Sequence, residues 1–317
     1  MINTIPADEY HASADLSASL IKVLLAETPR RAWLESALNP NRVFDDSGSM
    51  NIGTAAHDLF LEGGTGKIVV INPEEHRSKP SKKNPEGNIP KGWTNDAIKE
   101  ARDNAIESGK LPMLPVEYQQ VQQMAKRANE KLAQEGLQLA DFKAEQSIYW
   151  TERGVACRGR LDLLANDYGM VLDYKTTSAR SPEEWIRKYI TSMGHDIQED
   201  FYSRAIEAET GIRPRFLFLV QQDFGEFDCF PLIALSATKK EIARVKVDKA
   251  LNIWQACVEA QNWPSWPSGV MEAEASNWEL TEAEEISLEL EYWDKDAKGA
   301  KEVFLFGKVA PKEEYHG

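Results

Sequence analysis

Cysteine is scarce in this 317-residue chain: Cys157, Cys229 and Cys257 are its 3 thiols, far apart and odd in number. A disulfide framework, a Cys-rich zinc site and a four-cysteine iron-sulfur cluster are thereby excluded, and the three are expected as ordinary buried thiols. Apolar runs long enough to cross a bilayer, about 18 residues or more, are missing too. The stretch from Met1 to Asp15 has neither the basic start nor the apolar core of a leader peptide, so the expectation is a cytoplasmic protein with no membrane contact. No internal repeat is visible, and no Walker-type Gly-rich loop ending in Lys-Ser/Thr, so any ATP-driven motor would be another chain. Positive charge is in short supply as well. Against 51 Asp+Glu there are 37 Lys+Arg, a formal net charge of -14, which argues against nucleic acid as a partner because DNA affinity rests on neutralising phosphates.

The distribution of that charge softens the objection. Residues 271–317 hold 13 Asp+Glu and 5 Lys+Arg, a local charge of -8, so residues 1–270 carry -14 - (-8) = -6. The stretch His76 to Trp93 carries five basic residues against one acid and is rich in Pro, Gly and Ser. It reads as a flexible basic loop, open to a solvated role or to phosphate contact. With 42% apolar and 28% charged residues, the chain has the usage of a globular protein that buries a real core. Residues 1–270 are expected as one domain. Residues 271–317 form an acidic extension whose Trp278, Tyr292, Trp293, Phe304 and Phe306 are too many aromatics for a plain disordered tail, so part of it is expected to pack.

Helical spacing is read over Tyr10 to Leu38 with a break at Pro29, over Gly53 to Glu62, Thr94 to Ser108 and Pro115 to Glu135. The period then changes to that of strands: Ala144 to Trp150, Val155 to Ala165 and Met170 to Tyr174, separated by turn-like residues, predict an antiparallel meander. Two helical stretches follow, Pro182 to Met193 and Asp196 to Glu209, then strand-like Arg215 to Val220 and Phe227 to Leu235, then a helix over Thr238 to Ala260. That order predicts an α/β fold with a mixed β-sheet flanked by helices.

Chemistry concentrates in the meander. Asp173 and Lys175 are two apart in a strand and so share a face, and Asp162 lies in the neighbouring strand among leucines, where a carboxylate is costly without a partner or a metal. Glu145, one strand earlier, adds a third carboxylate. Oxygen ligands that leave room for water and a phosphate suit Mg²⁺ or Mn²⁺, which lower the pKa of a bound water and stabilise the phosphoryl transition state. Lys175 would orient or help deprotonate that water, or neutralise the developing charge. The alternative is a structural salt bridge of Lys175 with Asp162 or Asp173. Asp-x-Lys recurs at 141–143 and 296–298, so context rather than the tripeptide carries the reading.

Taken together, Gly53-Thr54-Ala55-Ala56-His57, Glu145, Gly159-Arg160-Leu161-Asp162, Asp173-Tyr174-Lys175 and Gln198 to Tyr202 resemble the PD-(D/E)xK nuclease superfamily in its RecB-like branch. With Leu16-Ser17-Ala18-Ser19, they look most like the RecE (exodeoxyribonuclease VIII) family of phage and prophage recombination exonucleases. The resemblance covers roughly residues 13–270 and implies a PD-(D/E)xK nuclease core. By that likeness His57, Asp162, Asp173 and the carbonyl of Tyr174 would hold the metal, Glu145 would be an accessory acid and Lys175 the catalytic lysine. Gln198 and Tyr202 would lie beside the site and contact DNA.

The function so implied is metal-dependent degradation of linear double-stranded DNA from an end, 5′ to 3′, leaving single strand for recombination in a bacterial host cell. The resemblance also implies a ring-shaped homo-oligomer and a single-strand annealing protein as partner. A ring would reconcile an acidic exterior with a basic channel, for which Lys22, Arg30, Arg31, Lys79, Lys82, Lys83 and Lys91 are candidates. The alternatives are an endonuclease or helicase-associated nuclease module of the same fold, or a DNA-end-binding scaffold without turnover.

Overall fold

Two tight turns organise the centre of the molecule. Arg153 and Gly154 both take left-handed backbone angles (φ 51° and 78°), the two-residue geometry whose twist matches antiparallel strands, and they join Phe142–Glu152 to Val155–Ala165. Asp167 then accepts the Gly169 N–H at 2.9 Å and turns the chain into Met170–Thr177. The computed structural model describes residues 2–42, 52–64 and 66–295.

Among these residues the strands are β1 (Ile2–Asn3), β2 (Ile68–Val70), β3 (Leu111–Met113), β4 (Phe142–Glu152), β5 (Val155–Ala165), β6 (Met170–Thr177) and β7 (Arg215–Gln222). The helices are α1 (Ala7–Ala12), α2 (Ala18–Ala26), α3 (Pro29–Glu35), α4 (Ile52–Glu62), α5 (Asp96–Glu107), α6 (Pro115–Gln134), α7 (Pro182–Ser192), α8 (His195–Thr210), α9 (Ala237–Ala260) and α10 (Asn277–Lys295). The main sheet has 5 strands in the order β1-β4-β5-β6-β7. It is antiparallel except for β6 and β7, which run parallel with Asp173 opposite Phe218 and need the α7–α8 crossover to do so. This is the mixed sheet flanked by helices that the residue pattern predicts. No helix among the described residues is long and apolar enough to cross a membrane.

Each face of the sheet buries its own core. Leu20, Ile21 and Leu24 of α2, Phe201 of α8 and Leu251 of α9 cover Ile148, Leu161, Phe216 and Phe218. On the other face Phe60 of α4 and Met124 of α6 cover Leu163, Leu172 and Leu219. The faces switch within β4 and β5. Phe142 and Ala144 belong to one core and Ile148 and Trp150 to the other, although all four are even-numbered; Leu161 and Leu163 likewise divide. A strand with strict two-residue alternation cannot do this. The switch falls at Glu145, whose φ is +50°, and at Asp162, and the pairing of β4 with β5 passes from Ala144–Leu163 to Gln146–Leu161 without joining these two.

Several expectations are corrected. The Tyr10 to Leu38 helix is three helices, because Leu16 is extended: its N–H and C=O bond to Ala156 and Arg158 at 2.9 Å, and Ser17 caps α2 through Leu20 N–H. Pro29 opens α3 rather than merely ending a helix. Phe227 to Leu235 is not a strand; Phe227 has φ +57°, Pro231 lacks a donor, and only isolated bridges, Phe218–Ile233 and Gln221–Cys229, reach β7. The basic loop has internal hydrogen bonds of its own. Ser78 and Asn88 are tied backbone to backbone and through Ser78 Oγ at 2.9 Å, and Gly87 (φ +73°) is required because a Cβ would lie 2.0 Å from Ser78 O.

Cys157 and Cys257 are buried and Cys229 is half-buried, all as free thiols. The chain divides into two compact units, 1–265 and 266–317. In the second, Ser276 and Glu279 bond reciprocally to open α10 as a capping box. Trp278 there is exposed; the aromatic side chains of Tyr292, Trp293, Phe304 and Phe306 lie outside the description.

Candidate active site

Three carboxylates stand in one row across three strands. Continuing the register of the paired strands, Glu145 of β4 falls opposite Asp162 of β5, and Asp162 opposite Asp173 of β6. The ladder opens at this row. The last β5–β6 pair is Leu163–Leu172, and beyond it Asp162 Oδ2 accepts the Tyr174 N–H at 2.8 Å, so a side chain satisfies a backbone donor that a straight ladder would have paired.

Helix α4 brings the imidazole. Small Ala55 and Ala56 let it approach the sheet, and Phe60 packs on the Tyr174 ring with centroids 5.0 Å apart. His57 Nε2 then lies 3.4 Å from Asp162 Oδ2, and Nδ1 3.7 Å from Glu145 Oε1. Among the described residues His57, Glu145 and Asp162 form the group whose ligand atoms lie within 4.8 Å of one another. Asp173 sits apart from that trio, between a lysine and an amide. Lys175 Nζ is 2.5 Å from Asp173 Oδ2 and 3.8 Å from Asp162 Oδ2, while Gln198 Nε2 donates to Asp173 Oδ1 at 2.7 Å. The structural salt bridge of Lys175 is therefore present, inside the same cluster that the metal reading requires.

The electrostatics are unbalanced. Burial, and then the charge of Asp162, push Glu145 up to about 7, and burial raises Asp173 to about 6 against the pull of Lys175. Asp162 overcomes its burial through Lys175 and His57 and is held low. Burial lowers Lys175, but Asp173 and Asp162 outweigh it and keep the side chain an ammonium. Three carboxylates that repel one another, Asp162 and Asp173 buried and Glu145 half-buried, with an imidazole among them and no thiol, are a donor set suited to a hard divalent cation, so the residues fit Mg²⁺ or Mn²⁺.

The remaining predicted residues separate. Gln198 (9% exposed) and Tyr202 (8%) share a face of α8 that points into the protein. Gln198 braces Asp173, and Tyr202 packs so close to Gly159 that a Cβ there would lie 3.0 Å from its ring. Both side chains are thus buried against the protein itself, and the glycine before Arg160 is explained by the tyrosine. Tyr174 meets the site through its N–H, and its hydroxyl donates to Gln221. Lys82 and Lys83 occupy the tip of the Ser81–Asn84 turn and are exposed, as is Lys79. Lys22 is half-buried against Gly194, with its Cγ 2.8 Å from where a Cβ would stand; burial and then Lys175 lower it to about 8. Arg30 lies over Trp33 at 4.7 Å, and Arg31 pairs with Glu35 at 2.9 Å. Lys91 is exposed.

Two contributors escape a sequence reading. Arg160 Nε lies 3.4 Å from Glu145 Oε2 and its guanidinium 4.9 Å from the Tyr10 ring; its spacing of two from Asp162 was the available signal. His195, stacked on Trp185 at 5.4 Å, is pushed down to about 3 by burial and then by Lys175 and Lys22, which leaves it neutral. It lines, with Thr54, His57, Lys175, Thr177 and Trp185, a cleft of about 570 Å³ beside the carboxylates.

Residues 17–276 match the model of a family described as a PDDEXK-like domain of unknown function (DUF3799). Comparison with curated proteins finds no match. Among solved structures, a crystal structure from Eubacterium rectale bearing the name "Putative exonuclease" superposes with a TM-score of 0.53 at 14% identity, covering 88% of this chain and 98% of that one. At that identity the likeness shows the fold.

Proposed function

The chain belongs to the PDDEXK-like family of unknown function DUF3799, and we propose that it is a metal-dependent nuclease that degrades linear double-stranded DNA from an end. The observation that carries this reading is the row Glu145, Asp162 and Asp173 across three strands, with His57 between the first two and Lys175 on the last. His57, Glu145 and Asp162 would hold Mg²⁺ or Mn²⁺, joined by Asp173 and the Tyr174 carbonyl. The chemistry such an ion supplies is Lewis-acid stabilisation of the phosphate and a lowered pKa for the attacking water.

The protein's own groups do the rest. Gln198 and the Tyr174 N–H fix the orientations of Asp173 and Asp162. Arg160 holds Glu145 from the side away from His57. Lys175, an ammonium in this arrangement, neutralises charge on the phosphate and orients the water; it accepts no proton until it has released one. The cleft beside the row gives the strand a place to lie.

The finer reading rests on the likeness to RecE-type enzymes: 5′ to 3′ polarity, production of single strand for homologous recombination, a ring-shaped homo-oligomer, an annealing partner and action in the bacterial cytoplasm. A ring would reconcile the net charge of -14 with DNA binding, since only its channel need be basic. Linear duplex labelled at the 5′ or 3′ end, incubated with Mg²⁺ or EDTA, tests the whole. Metal-dependent release of the 5′ label by the wild type and not by Lys175→Ala is expected. Cleavage of closed circular DNA at the same rate would make it an endonuclease, and absence of metal-dependent cleavage of any DNA would overturn the nuclease reading.

A further inference from the structure

Beyond the carboxylate row, β5 leads to a second polar cavity of about 610 Å³, whose lining includes Ser17, Ser19, Arg31, Asn39, Arg42 and Arg158. Its construction follows from the opening of the sheet. Where β6 leaves β5, the freed edge of β5 is taken by Leu16, which receives the Arg158 N–H at 2.9 Å. That contact sets the first turn of the 9-residue helix α2 beside Arg158. The hydroxyls of Ser17 and Ser19 lie there, 2.8 Å apart, at the end of a helix dipole that favours anions.

Arg158 is the independent sign of a ligand. It is 4% exposed, its guanidinium lies 4.6 Å from the Tyr10 ring, and neither Nε nor Nη1 has a hydrogen-bond partner. A buried guanidinium with donors unmet is costly. Arg42 adds a second positive charge to the same cavity. Burial, and then the charge of Arg158, hold Arg42 below its ordinary value, although its Nη1 already donates to His11 O at 3.2 Å. The carboxylate that lines the cavity, Glu35, is engaged by Arg31.

We propose that this cavity is a phosphate-binding pocket, taking a phosphate group of the nucleic-acid strand other than the one being cut. Arg158, Arg160 and Asp162 are alternate residues of β5, and four residues of strand span about 13 Å, so pocket and carboxylate row are separate sites on one strand. Arg160, tied to Glu145, stands between them. Only the identity of the strand as nucleic acid rests on the nuclease reading above.

The test uses two variants, Arg158→Met and Ser19→Asp. The second is exposed and puts a carboxylate in the first turn of α2, which suits the helix and repels an anion, so it removes binding without unfolding the protein. Binding of a labelled duplex is followed by fluorescence anisotropy in EDTA across a salt series, and inorganic phosphate is titrated by thermal shift. Each variant is expected to weaken duplex binding about tenfold, as loss of one charge-assisted contact does, and to lower the salt slope by about one. The stabilisation by inorganic phosphate should vanish, while that by Mn²⁺ stays. Equal losses on 5′-hydroxyl and 5′-phosphorylated duplexes assign an internal phosphodiester, and a loss confined to phosphorylated ends assigns the terminal phosphate. Unchanged affinity and slope in Ser19→Asp overturn the pocket even if the wild type cuts DNA. A wild type that cuts nothing, with binding still lost in the variants, leaves the pocket standing and removes the nuclease reading.

Discussion

Two clusters of buried charge lie within the 1–265 unit, and they are built on opposite terms. Around Arg204 of α8, every partner is within ordinary bonding distance: Nε reaches Asp200 at 2.6 Å, and Nη1 reaches Glu152 at 2.6 Å and Asp248 at 2.8 Å. Arg213 takes the other oxygen of Asp200 at 2.8 Å, and Arg153 and Arg244 close on Asp248 at 3.1 Å. There opposite charges alternate, and Arg204 is driven upward despite its burial. Around Asp162 the acids outnumber the fixed cations, Glu145 carries a left-handed backbone, His57 stands 3.4 and 3.7 Å from its carboxylates, and two acids are pushed up. A satisfied network stabilises the fold. A frustrated one persists because the surrounding structure over-determines it, and such places are where ligands and chemistry belong.

The contrast breaks most visibly in activity. Asp162→Asn should reduce metal-dependent cleavage by about 10³-fold or more, the scale of removing one preorganised electrostatic group, with little change in melting temperature; residual cleavage near wild type would remove Asp162 from the metal site. Arg204→Met should do the reverse. Leaving Asp200, Glu152 and Asp248 without their shared partner is expected to destabilise by about 3 kcal/mol, read as a lower denaturant midpoint, with cleavage per folded molecule unchanged.

Glu145→Gln sharpens the comparison through pH. The folded value of Glu145 is raised from 4.5 to about 7, so the contribution of its protonated form is full below pH 4.5 and is lost as pH rises through 7. The amide variant should therefore be more stable than wild type at pH 8, by up to about 3 kcal/mol, and equal to it at pH 4.5. In the wild type, Mn²⁺ affinity should climb as pH rises towards 7, because the ion must displace protons; calorimetric titration in buffers of different ionisation enthalpy would show proton release, and a pH-independent affinity would contradict the site. The smallest effect is expected at the Ser81–Asn84 tip. Lys82→Glu with Lys83→Glu should leave the melting temperature unchanged and flatten the salt dependence of duplex binding. An unchanged slope would make the loop merely solvated.

Much of the scaffold was readable because it is local. The hairpin turns at 153–154 and 166–169, the two-residue spacing of Asp173 and Lys175, and the cap-to-glycine limits of most helices are written within a few residues each. Phe227 to Leu235 misled because apolar alternation cannot show a left-handed φ at Phe227 or the missing neighbour that leaves the segment as isolated bridges. Gln198 and Tyr202 were found as a pair on one helical face, but nothing within α8 says which face turns inward. That depended on Gly159, 43 residues before Tyr202 in sequence (202 - 159), leaving space for the tyrosine ring.

The chain's own order of residues thus determined the meander, its carboxylates, the lysine and the helices that cover the sheet, since periodicity and turn chemistry act over short range. Only the tertiary structure decided that Glu145 joins Asp162 and His57 while Asp173 is held by Lys175 and Gln198. It also decided that the strands part at that row, and that Arg158 is buried with donors unmet. Those facts depend on strand register, on a change of face within two strands and on the depth of burial, and each is a property of segments brought together from far along the chain.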